Sequence, residues 1–444
     1  MRIRSLAPVL LVSVLAACNY PTPQILIVTA TPEPSPTAEA GTPLPPPAAP
    51  TRTPTPQPPA PTATVMPTAG PIAHLEKGTD LAITHIDMID SAAGWATGGA
   101  AEGRGKDHVL RTTDGGSTWM DVTPPETTIV DPPTDRIAVA GFWDKDTAWA
   151  TFYSADLRPP SDAPAVWRTA DGGATWTQSA PLDLSGWEGP YRVSDLFLIN
   201  ANTGWVFAHR GDDPKSDRIA LFQTVNGGSR WDLVIDPAKD SDVQECEKTG
   251  ILFTGPWNGW LTGDCRGNAP GTFVYQTFDG GKSWIAAPLP SPAVPPGVFT
   301  SPDFACRVHD PVYFAQDTNL VLAVECASKT TPTTGHYLFT SNLDGSNWHT
   351  LAYPGGLLVV RSPGDGRVFR GDVGSGLAVG KDMYIFDGKA GTWEKINTID
   401  WSGQFDFVDW NKGWSAAVCP GNLPCLMYTD DGGRNWMDLR PAAG

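Results

Sequence analysis

Beyond residue 73, tryptophan marks the chain at a steady interval. Trp119, Trp176, Trp231, Trp284, Trp348, Trp393 and Trp436 stand 57, 55, 53, 64, 45 and 43 residues apart. Five of them close one pattern, Thr-x-Asp/Asn-Gly-Gly-x-x-Trp. It starts at Thr112, Thr169, Thr224, Thr277 and Thr429 and carries Asp114, Asp171, Asn226, Asp279 and Asp431. Degraded copies end at Trp348, after Asp344 and Gly345, and at Trp393, after Asp387 and Gly388. A second apolar landmark precedes each strong copy by 22–27 residues: Gly94-Trp95, Ala148-Trp149, Gly204-Trp205, Gly259-Trp260 and Gly413-Trp414. Residues 320–324 and 377–379 take its place in the weak copies. Short apolar runs between turn-forming clusters read as strands. In the first unit they fall at 83–89, 95–98, 108–112 and 119–122. Four strands in a repeat of this length make one propeller blade. The expected fold class is all-β, a single seven-bladed β-propeller over residues 74–444.

Each Thr-x-Asp-Gly-Gly run lies between two strands, so it reads as a hairpin turn. The aspartate accepts backbone N–H groups, the glycines supply positive φ, and the threonine hydroxyl joins the network. The following tryptophan packs between turn and blade. A residue repeated in every unit has the same task in every unit. These aspartates are therefore expected to be structural, not catalytic and not calcium ligands, which would need several converging oxygens.

The chain before residue 74 differs in kind. Arg2 and Arg4 precede an apolar run over 6–17, too short to span a bilayer. Leu15-Ala16-Ala17-Cys18 resembles the bacterial lipobox. That resemblance implies cleavage after residue 17, lipidation of Cys18, and anchoring to a bacterial membrane on its extracytoplasmic face. Residues 19–73 hold 17 Pro in 55 positions. They cannot bury a core and favour extended polyproline II, with a reach of roughly 170 Å. The domain reading is a signal peptide at 1–17, a lipidated and disordered tether at 18–73, and the propeller at 74–444.

Composition narrows the function. Gly and Pro number 46 and 44, too many turn-formers for a helical protein. A net charge of −17 excludes nucleic acid as a partner. Besides Cys18 there are six cysteines, an even number that suits an oxidising compartment. Their spacings, 19 for Cys246 and Cys265, 20 for Cys306 and Cys326, and 6 for Cys419 and Cys425, fit no zinc pattern. Local pairing is one of 15 connectivities. The repeat phase favours it.

The repeated turn resembles the Asp-box, or BNR repeat. Asp-boxes occur in sialidases, other glycoside hydrolases, sortilin-type receptors and the photosystem II stability/assembly-factor family. The texture here looks most like that last family and bacterial lipoproteins similar to it. The resemblance implies a non-catalytic binding scaffold for an envelope protein, with no cofactor or metal and the membrane reached only through the anchor. Carbohydrate is the alternative ligand, and a sialidase-like hydrolase the alternative activity. Sialidases carry a Phe/Tyr-Arg-Ile-Pro motif ahead of the boxes. Here Tyr191-Arg192-Val193-Ser194 lacks the proline and follows two boxes. No Gly-x-Ser-x-Gly, His-Glu-x-x-His or phosphate loop is present.

The box turns share a face with the short first-to-second-strand loops. The opposite face collects the long loops at 98–107, 154–165, 209–218, 263–272 and 327–335, where binding residues concentrate. Arg136, Arg192, Lys248 and Arg307 start the innermost strands there and predict a cationic mouth for an anionic partner. Trp187 and Tyr191 would suit sugar stacking.

Overall fold

The computed structural model describes residues 73–444, apart from 103–105, 126–135, 155–164, 184–190, 211–216, 240–241, 266–270, 315–318, 333, 353, 356, 363–364, 371–380 and 388–391. Cys18, the tether to residue 72, Trp187 and the 377–379 landmark lie outside the described residues. The described part is strand after strand, with one 3-10 turn at Asp242–Gln244 and no α-helix.

The strands pair with their sequence neighbours in antiparallel meanders. The first is Leu81–Met88, Gly94–Ala100, His108–Thr112 and Thr118–Asp121. The second runs from Arg136–Phe142 through Ala148–Ser154 and Trp167–Thr169 to Thr177–Gln178. The third holds Tyr191–Leu198, Gly204–Arg210, Arg218–Thr224 and Asp232–Ile235. The fourth, Glu247–Phe253 to Ile285–Ala286, and the fifth, Phe304–Val308 to His349–Ala352, join one nine-stranded sheet through the Asp264–Arg307 pair. The sixth spans Leu357–Ser362 to Thr392–Ile399, and the seventh Ser402–Phe407 to Met437–Asp438. The chain is a β-propeller.

Both tryptophan series explain themselves in the packing. The buried side chains cluster between neighbouring meanders. Trp149 of the second and Trp231 of the third meet edge to face at 5.8 Å. Trp260 and Trp348 repeat the contact at 6.1 Å between the fourth and fifth. Each landmark tryptophan thus faces the next meander, and each box tryptophan faces the one before. Trp95, Trp176, Trp205, Trp284, Trp119 and Trp414 follow the same rule. Burying one such ring contributes several kcal/mol, with edge-to-face geometry adding about 0.5–1.5.

The last meander docks on the first. The Gln404 side chain accepts from Ile86 N–H and donates to Ile86 C=O, both at 2.8 Å, while Asp406 accepts Met88 N–H. The indole of Trp414 donates to Gly115 C=O at 2.9 Å, as Trp205 does to Gly280 C=O between the third and fourth. The segment Ala442–Ala443 then lies parallel to Thr118–Asp121.

Three disulfides each close a local loop: Cys246–Cys265, Cys306–Cys326 and Cys419–Cys425. Cys306 and Cys326 are directly opposed on adjacent strands.

Candidate functional site

The repeated turns are built alike. In each, the threonine hydroxyl accepts the N–H of the second glycine, at 3.0 Å for Thr112, 2.9 Å for Thr169, 3.0 Å for Thr224 and Thr277, and 2.9 Å for Thr429. It donates to the Asp or Asn side chain at 2.8–2.9 Å. That side chain accepts the N–H four residues on, as Asp171 does from Thr175. The Thr175 hydroxyl and amide hold the Asp171 carboxyl below the usual carboxylate range. Both glycines have positive φ, 71° and 85° at Gly172 and Gly173. A Cβ on Gly173 would also strike Val122 of the neighbouring meander.

Asp114 and Asp171 are exposed and Asp279 and Asp431 half-buried, whereas all five threonines are buried. Thr112→Val strands the buried Gly116 N–H, so it should lose about 1–3 kcal/mol. Asp114→Ala, at an exposed position, leaves water to replace the carboxylate and should lose less. Paired urea melts check this; an aspartate variant weaker than the threonine variant reverses it.

A second repeated turn has a sequence signal of its own. Asp90, Asp144, Asn200 and Asp409 each stand four residues before the Gly/Ala of a landmark. Each side-chain oxygen accepts the N–H groups two and three residues on. The carbonyls of these turns accept the first box glycine's N–H, as Ala92 does from Gly115 and Asn202 from Gly227. So the two turn sets share a face and brace each other.

On the inner strands of the first four meanders lies a cavity of about 1000 Å³, lined by Asp87, Asp107 and Asp195, by Arg136, Arg192 and Lys248, and by His85 and His209. Three of the expected cations are therefore brought together, but not as a free cationic mouth. Arg136 is buried, donates to Asp107 C=O at 2.8 Å, and lies over the Phe152 ring. Lys248 is buried and donates to the carbonyls of Asp217, Glu245 and Cys246 at 2.8–2.9 Å. Burial, partly offset by Asp217 and Glu245, lowers its pKa to about 8. Arg307 pairs in register with Asp264 at the fourth-to-fifth junction and does not line the cavity. Arg192 alone of the four is exposed. The sequence showed cations in register but not the carbonyls that other strands bring to them.

The carboxylates are equally conditioned. Asp87, Asp107 and Asp195 border the cavity yet are walled by protein. Burial, reinforced by Asp406, pushes Asp87 up to about 7. Burial and the nearby Asp195 push Asp310 up to about 6, and burial raises Asp195 itself. Of the aromatic rings in the wall, Phe142 stacks on Trp95 at 5.4 Å, Phe197 packs on Trp205 and Phe207 on His209. For Tyr191 the backbone alone is described, opposite Arg210. Among the described residues no group of three or more His, Cys, Asp or Glu is placed to hold a metal ion.

No family model matches the chain, and no curated protein matches it. Solved structures do. A structure described as YCF48 bound to D1 peptide is 14% identical with a TM-score of 0.47, covering 84% of this chain and 99% of that one. The oligogalacturonate lyase of Vibrio parahaemolyticus is 7% identical with a TM-score of 0.50, covering 80% and 90%. The β-propeller domain of the trilobed protease from Pyrococcus furiosus is 11% identical with a TM-score of 0.46, covering 81% and 98%. Likeness at this level concerns architecture alone, and the strand order above carries the fold.

Proposed function

We propose that the protein is a seven-bladed Asp-box propeller, lipidated at Cys18 and tethered to the extracytoplasmic face of a bacterial membrane, that binds a segment of an envelope protein in its cavity. The observation that carries this reading is the cavity wall. Arg192 stands exposed beside Asp195, with Asp87 and His85 on the same wall. Charges of both signs at close range suit a polypeptide, which brings charged side chains and amide groups together. A sugar is better served by open aromatic faces, and three of the wall's rings are already packed. The photosystem II assembly-factor texture of the repeats supports the same reading.

Affinity capture from the envelope fraction tests it. A protein retained by the wild type should bind Arg192→Ala about 3- to 10-fold more weakly, with the difference shrinking as salt rises. Retention of nothing, or glycan-array binding indifferent to Arg192→Ala, overturns it.

A further inference from the structure

In the cavity wall of the third meander a serine, a histidine and an aspartate form a hydrogen-bonded line. Ser194 Oγ lies 3.0 Å from His209 Nε2. His209 Nδ1 lies 2.9 and 2.8 Å from the two Asp217 oxygens. His209 and Asp217 are buried, whereas Ser194 is half-buried, and both Ser194 and His209 border the cavity. The Lys248 N–H fixes Asp217 at 2.9 Å. Burial opposes charge on Asp217, but the bonds from His209 and Lys248 outweigh it and hold its pKa below the usual range. An ionised Asp217 only accepts, so Nδ1 carries the proton and a neutral ring offers a bare Nε2 to the serine hydroxyl.

The backbone is shaped to place this serine. Phe207 opposes Asp195 and Ala208 opposes Val193, so Ser194 is the extra residue of a β-bulge. Bulges re-aim side chains and recur beside active sites. The first and fourth meanders carry the same bulge at Thr84 and Thr249. There the hydroxyl meets Thr97 at 3.1 Å or Thr262 at 3.0 Å, each two residues after a landmark tryptophan. In the third meander Phe207 fills that position, and the bulged hydroxyl lies 3.0 Å from His209 Nε2, with Phe207 C=O at 3.4 Å and the Asp195 carboxylate as further acceptors beside it. Among the described residues, a second buried His–Asp pair, His108 with Asp121 at 2.8 Å, has its hydroxyl partner Thr123 on the same ring nitrogen and does not border the cavity. A line through both ring nitrogens, ending on a hydroxyl that borders the cavity, is what nucleophile activation requires.

We propose that Ser194, His209 and Asp217 form an acyl-transfer site that hydrolyses a carboxylic ester bearing a negative charge. His209 Nε2 takes the hydroxyl proton as Ser194 Oγ bonds to the ester carbonyl carbon. The bond to the leaving alcohol then breaks, and His209 returns the proton to the departing oxygen. Water repeats the sequence on the acyl-serine, releasing the carboxylic acid and restoring Ser194. Asp217 is the positioning residue for the ring. Arg192, exposed on the same wall, is the cation that pairs with the substrate's charge. This departs from the sequence expectation of no enzyme and is independent of the partner-capture experiment.

The test uses the full-length protein and a biotinylated fluorophosphonate, with tryptic mass spectrometry and melting curves. Label should appear on Ser194 and fall about a hundredfold or more in His209→Gln that still melts cooperatively. Asp217→Asn should slow labelling about tenfold and move the rising limb of its pH profile, in a setting where Asp195, Arg192 and Lys248 also face the line. The monoester 4-nitrophenyl succinate should turn over faster than 4-nitrophenyl acetate, and Arg192→Ala should erase the preference. An unlabelled Ser194 in folded wild-type protein overturns the proposal. So does labelling that persists undiminished in His209→Gln. Equal turnover of the two esters overturns the anionic substrate class.

Discussion

Trp414→Ala lowers the free energy of unfolding by about 3–5 kcal/mol, the cost of removing a fully packed aromatic ring from a core. Trp414 is 1% exposed and packs in one cluster with Leu81, Ile86 and Trp119 of the first meander. Its indole N–H holds Gly115 C=O at 2.9 Å, and Tyr428 lies against it at 5.2 Å. Truncation opens a cavity at the contact between the last and first meanders and strands a turn carbonyl. Trp410, four residues earlier and 58% exposed, is the control and should change stability by about 0.5 kcal/mol or less. Urea unfolding of both variants decides it. A Trp414 loss below about 1 kcal/mol would mean that this contact is not where the domain is held together.

Replacing Cys306 and Cys326 together by alanine lowers stability by about 3 kcal/mol, from the chain entropy regained by a loop of 20 residues. The same treatment of Cys419 and Cys425, only 6 apart, should cost about 2 kcal/mol. The ordering is the sharper claim. If the shorter loop proves the more costly, strain or packing governs these bridges and loop entropy does not. The 306–326 variant also leaves two fully buried alanines in the fourth-to-fifth core, so its deficit should persist in reducing buffer.

The fold was legible because its signals repeat. Trp95, Trp149, Trp205, Trp260 and Trp414 meet the same kind of surface in the first four meanders and the seventh, so one packing solution is written five times. Turn chemistry was half legible. The pattern showed that Thr112 and Asp114 belong to a turn, but not that the hydroxyl is the buried partner and the carboxylate the exposed one. That depends on how deeply the turn sinks against its neighbour. Where the pattern decays, so does the bonding: Trp260 faces the degraded turn at Gly345 and its indole N–H has no partner, whereas Trp205 finds Gly280 C=O. The cavity was least legible. Arg136 and Lys248 are engaged by carbonyls far away or around a bend in sequence. Ser194 reaches His209 because of a register slip that no residue type announces. Much of the long-loop face lies outside the described residues.

The contact between the first and last meanders also sets an order of events. The bonds between Ile86 and Gln404 span 318 residues. The first meander therefore leaves one flank uncovered until nearly all of the domain has been synthesised. At about 5–20 residues per second that wait is on the order of half a minute. During it, the Leu81–Met88 strand exposes Leu81, Ile83 and Ile86 while later meanders form. Local meanders can form early, but closure is a high-contact-order step that comes last. A chaperone acting on the emerging chain would find its target at this earliest strand, and a truncation before residue 404 would leave that strand permanently open.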